Sequence, residues 1–128
     1  MEYICGFTFA PFLRRRSFGQ CISKESLNNA GRTGADFVIF APNGVQKNAH
    51  SEEICYTSEA TMTDEELVEM IAYAKELGLR VALKPTANCA DGTWRAFISF
   101  FDYDVVCEAK WSNWFSLLTL RFSCTMQQ

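Results

Sequence analysis

Hydrophobic and polar positions follow a unit that occurs three times along the chain, a short apolar run that ends in a proline. The runs are Tyr3–Phe9 before Pro11, Asp36–Phe40 before Pro42, and Arg80–Lys84 before Pro85. Gly34 and Gly78 precede the second and third runs, at points where a helix would end. This order of elements predicts parallel strands joined by helical crossovers.

The spacing of the units predicts an α/β fold, the first three βα units of a (β/α)8 TIM barrel. Such a barrel needs roughly 250 residues to close, and the chain has 128. The pattern therefore predicts a truncated barrel with parallel strands. Because an isolated sheet of this kind has open edges, we expect self-association through them.

The best-defined helix is predicted to begin after Thr63. Thr63 and Glu66 form a capping box, in which each side chain accepts a hydrogen bond from a backbone N–H at the start of the helix. Gly78 ends the helix. One apolar stripe lies between them, at Leu67, Met70, Ile71, Ala74 and Leu77.

Two further helices are predicted from serine caps. One spans Ser23–Gly31 with Ser23 as its N-cap, and the last begins at Asn113 after Ser112.

Two segments are predicted to be loops. Asn43–Met62 is polar and about twenty residues long, and loops of that length are often functional. Thr86–Trp94 follows the third strand. Ala96–Val106 is aromatic and fits neither a helix nor a strand clearly.

Composition and charge exclude several partner classes. The net charge of −3 gives no reason to expect nucleic acid or an anionic membrane as a partner. No apolar stretch approaches the ~20 residues of a membrane span. The basic run Arg14–Arg16 is interpreted as a solvated loop rather than a phosphate site. The 14% aromatic content indicates core packing, with a sugar-binding cleft as the functional alternative.

The cysteines and motifs predict no metal and no cofactor. The six cysteines form no C-x-x-C pair, and His50 is the only histidine. The chain has no phosphate-binding loop and no hydrolase or metalloprotease motif. Met1–Cys5 is acidic and does not resemble a signal peptide, so we expect a cytoplasmic protein with reduced thiols.

Candidate chemistry lies after the third strand, because parallel sheets place their sites at the carboxyl ends of strands. Lys84 ends that strand and would either donate to a sugar hydroxyl or carboxylate or pair with a neighbouring acid. Asn88 lies in the loop that follows. Trp94 and Arg95 would form a stacking platform with a polar edge, or Trp94 would plug the barrel rim.

No catalytic pair is predicted from spacing. A glycoside hydrolase needs two carboxylates about 5–5.5 Å apart for retention, or farther apart for inversion. The acids outside the helix caps are Glu52, Glu53, Glu59, Asp91, Asp102, Asp104 and Glu108. Only Asp91 follows a predicted strand end, and the pattern selects no two of them.

The end of the chain differs in composition from the rest. Arg121 is the only charged residue between Trp111 and Gln128, whereas the helix over residues 63–78 has six. We therefore divide the chain into residues 1–115, the barrel part, and residues 116–128, an atypical tail of the kind that a shifted reading frame produces.

The segment Leu79–Arg95, with its Lys84-Pro85, Asn88 and Trp94-Arg95, resembles glycoside hydrolase family 113, whose clan A members are β-mannanase-like and often labelled endo-β-xylanases. The resemblance covers residues 3 to 115. Further segments that carry it are Gly6–Phe9, Thr33–Asp36 and Lys110–Phe115.

The resemblance implies a TIM barrel and retaining hydrolysis of β-1,4-glycosidic bonds in mannan or xylan. In the family, the acid/base glutamate follows the fourth strand and the nucleophile follows the seventh. The chain is therefore expected to lack both and to be inactive alone. What carries over is part of the sugar cleft: Lys84 and Asn88 as polar contacts to a β-glycan, with Trp94 and Arg95 as neighbours.

Two alternatives stay open beside a hydrolase fragment. One is a half-barrel that assembles with a copy of itself or another polypeptide and binds β-glycans without cleaving them. The other is an independent carbohydrate-binding module, although such modules usually consist of many short antiparallel strands.

Overall fold

The computed structural model describes residues 3–10 and 15–125, in which strands and helices alternate. The seven strands are β1 Gly6–Phe9, β2 Phe37–Phe40, β3 Asn43–Gln46, β4 Arg80–Leu83, β5 Thr86–Cys89, β6 Phe101–Asp102 and β7 Val105–Val106. The helices are α1 Cys21–Gly31, α2 Asp64–Glu76, α3 Glu108–Thr125 and the short 3-10 helix Arg95–Phe97.

Parallel pairing organises the sheet in the order β1-β2-β4, with β3 and β5 paired beyond it. β2 and β4 continue as β3 and β5 after a proline in each strand, and their register does not change across the two prolines. The backbone N–H of Lys84 donates to Phe40 O at 2.8 Å, and that of Thr86 donates to Pro42 O at 2.9 Å. These are in effect three parallel strands, two of them interrupted by proline. β6 and β7 form a separate antiparallel hairpin.

The main core lies between one face of this sheet and the helices α1 and α2. From the sheet, the buried side chains of Val38 and Phe40 pack beside Phe7, Phe9, Val81 and Leu83. From the helices, the core receives Leu27, Leu67, Met70, Ile71 and Ala74. The apolar stripe predicted for α2 is therefore its buried face, and a fully buried leucine such as Leu67 contributes about 2 kcal/mol.

The capping box of α2 is confirmed. Thr63 Oγ1 accepts the N–H of Glu66 at 3.1 Å, and the Glu66 carboxylate accepts the N–H of Thr63 at 2.9 Å. The same carboxylate accepts the N–H of Phe18 at 2.9 Å and that of Arg16 at 3.2 Å. The cap thus also ties the β1–α1 loop to α2. At the other end of α2, Gly78 has a φ of +80°, as a glycine stop predicts.

Both serine caps are wrong. α1 begins at Cys21 after Gln20, and Ser23 is buried inside the helix. α3 begins at Glu108, so Ser112 lies in its first turns rather than before it. Serine is tolerated inside a helix when its hydroxyl donates to the carbonyl four residues earlier, as Ser116 does to Ser112 O at 2.9 Å.

Both predicted loops begin with strands. Asn43–Gln46 is β3, and Thr86–Cys89 is β5. The rest of the first loop folds back, and Cys55 pairs antiparallel with Val45. Gly44 permits this close approach, because a Cβ at that position would collide with Ile54 and Tyr56.

The basic run is only partly a solvated loop. Arg15 is half-buried and donates from Nη1 to Tyr56 O at 3.0 Å and to Thr61 Oγ1 at 2.9 Å. Arg16 is exposed. Arg14 and Pro11 lie outside the described residues.

α3 packs against the rest of the molecule and crosses position 115 without a break. Trp114 and Leu118 join Ala87 and Phe100 in a second apolar cluster, while Phe122 joins the main core. Within the described part of the chain, no helix is both long and apolar enough to cross a membrane. The division of the chain at residue 115 stays a prediction.

Candidate functional site

One face of the sheet contributes no side chain to either apolar cluster of the described residues, and we call it the open face. Side chains alternate between faces along a strand. Val38, Phe40 and Gln46 are buried on the helix-covered side. The positions between them in the second and third strands therefore belong to the open face, together with Thr8 of β1: Ile39, Asn43, Val45, Ala82, Lys84, Thr86 and Asn88.

Polar residues of the open face concentrate at the carboxyl ends of the strands. Asn43 lies beside Thr86 in the register, and Val45 lies beside Asn88. Lys84, Thr86 and Asn88 occupy alternate positions of one strand and span about 13 Å. The structure thus brings two of the four predicted site residues, Lys84 and Asn88, to the same face.

Lys84 is exposed, and its backbone is fixed by the hydrogen bond to Phe40 O. Within residues 3–10 and 15–125, no carboxylate lies within ion-pairing distance of its ammonium group. The ion pairs in this part of the chain are Lys24–Glu69, Arg80–Asp36, Lys110–Glu52 and Arg121–Asp64. Its three N–H donors are therefore available to a ligand at the strand end.

Trp94 and Arg95 lie at the start of the 3-10 helix. The Trp94 side chain is 68% exposed and makes an edge-to-face contact with Phe97 at 6.2 Å between ring centroids. Most of the indole is therefore free to stack on a ligand. Both interpretations of Trp94, a stacking platform and a plug of the barrel rim, stay predictions.

Arg95 lines a separate cleft of about 430 Å³, which we call the aromatic cleft. Its walls are the start of β5, the 3-10 helix region and α3, with lining residues Pro85, Thr86, Ala87, Arg95, Ala96, Ile98, Trp111, Trp114, Phe115 and Leu118. Of the predicted site residues, Arg95 is the one in this lining. Sequence reasoning missed the cleft, although Trp111, Trp114, Phe115 and Leu118 have the spacing of one helix face.

The buried Gln46 orients one wall of the aromatic cleft. Trp114 Nε1 donates to Gln46 Oε1 at 2.9 Å, and Gln46 Nε2 donates to Asn48 O at 2.7 Å. Both polar atoms of the buried amide are satisfied, so Trp114 is held in one orientation. Trp111 then packs edge-to-face on Trp114 at 5.8 Å.

The turn after β5 holds the one acid predicted to follow a strand end. The Asp91 carboxylate accepts the N–H of Thr93 at 2.9 Å, and this bond lowers its pKa from the ordinary value of 3.8. Partial burial raises the pKa of the neighbouring Cys89 thiol, and the Asp91 charge adds to that shift. Asp91 is therefore an ionised turn residue and not a raised-pKa acid of the kind a general acid needs.

His50 and Glu52 have structural partners within the described residues. His50 Nδ1 lies 2.9 Å from Ser99 O, and Ser99 N–H donates to Ala49 O at 3.1 Å. Glu52 pairs with Lys110 at 3.7 Å. Asp102 belongs to the β6–β7 hairpin. Across the described residues, no group of three histidine, cysteine or acidic side chains could hold a metal ion.

Comparison with known proteins gives one family. The chain matches the model of Glycoside Hydrolase Family 113 over residues 7–124. Among curated proteins it has no significant match.

Solved structures of the same family are similar to the chain. A family 113 β-1,4-mannanase is 44% identical, with a TM-score of 0.77 over 91% of this chain and 38% of that one. The β-mannanase from Alicyclobacillus acidocaldarius, in complex with ManMIm, is 31% identical, with a TM-score of 0.74 over 91% and 37%. The chain thus spans less than two fifths of these enzymes, and the predicted fold class, three parallel βα units of a larger α/β barrel, is confirmed.

Proposed function

The chain belongs to glycoside hydrolase family 113, and we propose that it supplies part of the sugar-binding surface of a barrel that hydrolyses β-1,4-mannan or xylan. One observation supports this most. The family match spans residues 7–124, and these include the parallel strands whose carboxyl ends carry Lys84 and Asn88 on the open face.

The residue chemistry suits a neutral polymer of hydroxyl groups. Lys84 offers N–H donors only, whereas the Asn88 amide offers both donors and an acceptor. The exposed ring of Trp94 offers an apolar surface for the face of a sugar. The Arg95 guanidinium offers N–H donors from the aromatic cleft. We therefore propose Lys84 and Asn88 as polar contacts to the glycan and Trp94 and Arg95 as neighbouring contacts.

We infer that these three βα units do not hydrolyse glycans by themselves. Retaining hydrolysis needs two carboxyl groups about 5–5.5 Å apart. By the family resemblance those groups follow the fourth and seventh strands. Because the chain spans 38% of a matched mannanase, we propose that both glutamates lie on βα units beyond this sheet.

Release of reducing sugar tests the inferred inactivity. The purified 128-residue chain is expected to release none from mannan or xylan. Turnover that survives repurification and disappears in Asp91→Asn, or in a variant of another acid of this chain, would contradict the inference.

Replacement of Lys84 tests the sugar-binding surface. Lys84→Ala is expected to weaken binding of manno- or xylo-oligosaccharides about tenfold, or ~1.4 kcal/mol, because a charged donor to the sugar is lost. Titration calorimetry measures the affinity, and circular dichroism should show an unchanged fold since Lys84 is exposed.

The matched control is Lys75→Ala, an exposed lysine in the last turn of α2 and not on the open face. It should bind like the unmodified chain. Equal titration heats for Lys84→Ala and the unmodified chain would rule out the proposed role of Lys84.

A half-barrel that binds β-glycans without cleavage is the second candidate function. The open face favours it, because Lys84 and Asn88 are already positioned there without further strands. In that case the isolated chain binds oligosaccharides, and addition of the rest of a family barrel produces no hydrolysis.

A further inference from the structure

Cys55 lies in a row of side chains that crosses the open face. Its backbone forms both hydrogen bonds of an antiparallel pair: Val45 N–H donates to Cys55 O at 2.8 Å, and Cys55 N–H donates to Val45 O at 2.7 Å. Directly opposite residues of such a pair point to the same face of a sheet. Val45 belongs to the open face and lies beside Asn88, so the thiol of Cys55 shares that face with Asn88.

The residues on either side of Cys55 point the other way. A Cβ at Gly44 would collide with Ile54 and Tyr56, and Gly44 is buried on the helix-covered side. Because side chains alternate along an extended segment, the thiol of Cys55 lies on the opposite side, where it is exposed. The backbone pairing therefore holds this thiol at a fixed position on the open face.

The surroundings of the Cys55 thiol favour its thiolate form. Sγ lies 3.4 Å from Thr57 Oγ1, whose hydroxyl can donate to the sulfur. Hydrogen bonds from the Thr57 side chain and backbone and from the Ser58 backbone, with the charge of Arg15, lower the pKa of Cys55 from its ordinary value of 9.0. The thiolate is the nucleophilic form of cysteine, so Cys55 is expected to be more reactive than an ordinary exposed cysteine.

A cleft of about 420 Å³ adjoins this thiol, and we call it the thiol cleft. Besides Cys55, its lining contains the charged residues Lys47 and Glu53 and the hydroxyls of Ser51 and Ser58. In the described part of the chain, neither Lys47 nor Glu53 forms an ion pair. The thiol cleft therefore offers one cation and one carboxylate to a ligand that carries both charges.

Ser58 gives independent evidence that the thiol cleft takes a ligand. Its Oγ is buried and has no hydrogen-bond partner among the residues that the structure describes. A buried hydroxyl without a partner costs about 1–3 kcal/mol, and such groups are rare in native proteins. Since Ser58 lines the thiol cleft, a polar atom of a bound molecule would satisfy this hydroxyl.

We propose that Cys55 is a modification site, which forms a mixed disulfide with a small thiol that carries amino and carboxylate groups. The Cys55 thiolate attacks one sulfur of the symmetrical disulfide of that thiol. A bond forms between Cys55 Sγ and this sulfur, the disulfide bond of the reagent breaks, and the released thiolate takes a proton from water. Cys55 is oxidised, and the released thiol is the reduced product.

The polar residues of the thiol cleft hold the two ends of the adduct. Lys47 pairs with its carboxylate, Glu53 pairs with its ammonium group, and the Ser58 hydroxyl donates to one of its oxygens. The inference goes beyond the proposed function, because the reaction needs no sugar and no catalytic carboxylate.

Competition between cysteines of the full chain tests the proposal. Glutathione disulfide is the probe, and Cys5 and Cys21 are internal controls because both are exposed like Cys55. Peptide mass spectrometry over time should show Cys55 modified at least about threefold faster than either control, because its larger thiolate fraction outweighs its lower intrinsic nucleophilicity. Equal rates at the three cysteines would overturn the proposal.

Thr57→Val tests the activation of the thiol. Loss of the hydroxyl that donates to the sulfur is expected to slow modification of Cys55 about threefold. Thr33→Val is the matched control, since it removes a hydroxyl from an exposed threonine that donates to Ala30 O instead, and it should leave the rate unchanged. Modification of the Thr57→Val chain at the unmodified rate would contradict the proposed activation.

Lys47→Ala tests the class of ligand. The variant is expected to react about threefold more slowly with glutathione disulfide, because the partner of a carboxylate is lost. It should react at an unchanged rate with the uncharged 2-hydroxyethyl disulfide. Lys75→Ala, at an exposed position of α2, should match the unmodified chain with both reagents. Equal slowing with both disulfides, or none with either, would overturn the assignment of a charged thiol.

Discussion

At the scale of single residues, Glu66 shows how one side chain does more than its sequence pattern indicates. The pattern with Thr63 predicts a helix cap. In the structure the same carboxylate also accepts the N–H groups of Phe18 and Arg16, which lie 48 and 50 residues away along the chain. Glu66 is 8% exposed, so its loss would leave buried N–H donors without an acceptor.

Glu66→Gln is expected to lower the free energy of unfolding by about 2 kcal/mol, because an amide has one acceptor oxygen in place of two and loses the charge. Urea denaturation measures the change. Glu65→Gln is the control, since it removes the same charge from the same turn at an exposed position, and it should cost less than about 1 kcal/mol. Equal losses in the two variants would show that the contacts to Phe18 and Arg16 contribute nothing.

The site residues illustrate a different limit at the same scale. Lys84 lies two positions before Thr86, and Asn88 lies two positions after it. Because side chains alternate between the faces of a strand, this spacing alone places Lys84 and Asn88 on one face. Arg95 instead lines the aromatic cleft together with Trp111 and Trp114 of α3. No local pattern predicts that these residues share a cleft, because the cleft forms only when α3 packs beside β5. The roles of all four predicted residues stay predictions.

At the scale of elements, α2 was predicted correctly because several sequence features mark its limits. The starts of α1 and α3 were each predicted from a single feature and were wrong. α2 has a capping box, an apolar stripe and a glycine stop, and its predicted limits agree with Asp64–Glu76. The starts of α1 and α3 rested on a serine alone. Serine caps a helix through one hydrogen bond, but inside a helix it satisfies its hydroxyl equally well, as Ser26 does with Ile22 O at 2.9 Å.

Gly78→Ala tests the stop of α2. The residue has a φ of +80°, and an alanine in that conformation costs about 1–2 kcal/mol although no atom lies close enough to clash. Gly31→Ala is the control, because Gly31 is the last residue of α1 and its added Cβ would make only an ordinary contact with Leu79 at 3.8 Å.

Thermal unfolding should show a lower midpoint for Gly78→Ala and an unchanged or higher midpoint for Gly31→Ala, since alanine favours the helix. A similar midpoint for both variants would mean that the left-handed conformation of Gly78 does not limit stability.

At the scale of the whole molecule, the described sheet has two unpaired edges and an open face, and we expect the isolated chain to self-associate. Sedimentation velocity over a range of concentrations should show a rising average mass. Thr8→Lys places a charge on the open face of the edge strand β1 and should reduce the effect. A monomer at every concentration would contradict the prediction.

The tail also belongs to this scale. Its low charge suggested a segment foreign to the barrel, yet it lies within one helix whose Arg121 pairs with Asp64 at 2.6 Å and whose Leu117 carbonyl accepts from the Tyr56 hydroxyl at 3.1 Å. The family match extends to residue 124. Serine, threonine and apolar side chains, rather than charges, occupy the exposed positions of this tail, where Leu117 and Leu120 are exposed. The division at residue 115 and the cytoplasmic location stay predictions.

The sequence by itself determined the α/β class, the parallel order of the strands, the limits of α2 and the family, because these depend on local periodicity, caps and short motifs. Tertiary structure alone decided that β3 and β5 extend the sheet after the two prolines, that Arg95 lines an aromatic cleft, and that α3 packs beside β5. The physical reason is that each of these depends on pairing or packing between segments tens of residues apart, and side-chain periodicity within one segment carries no information about which distant segment it meets.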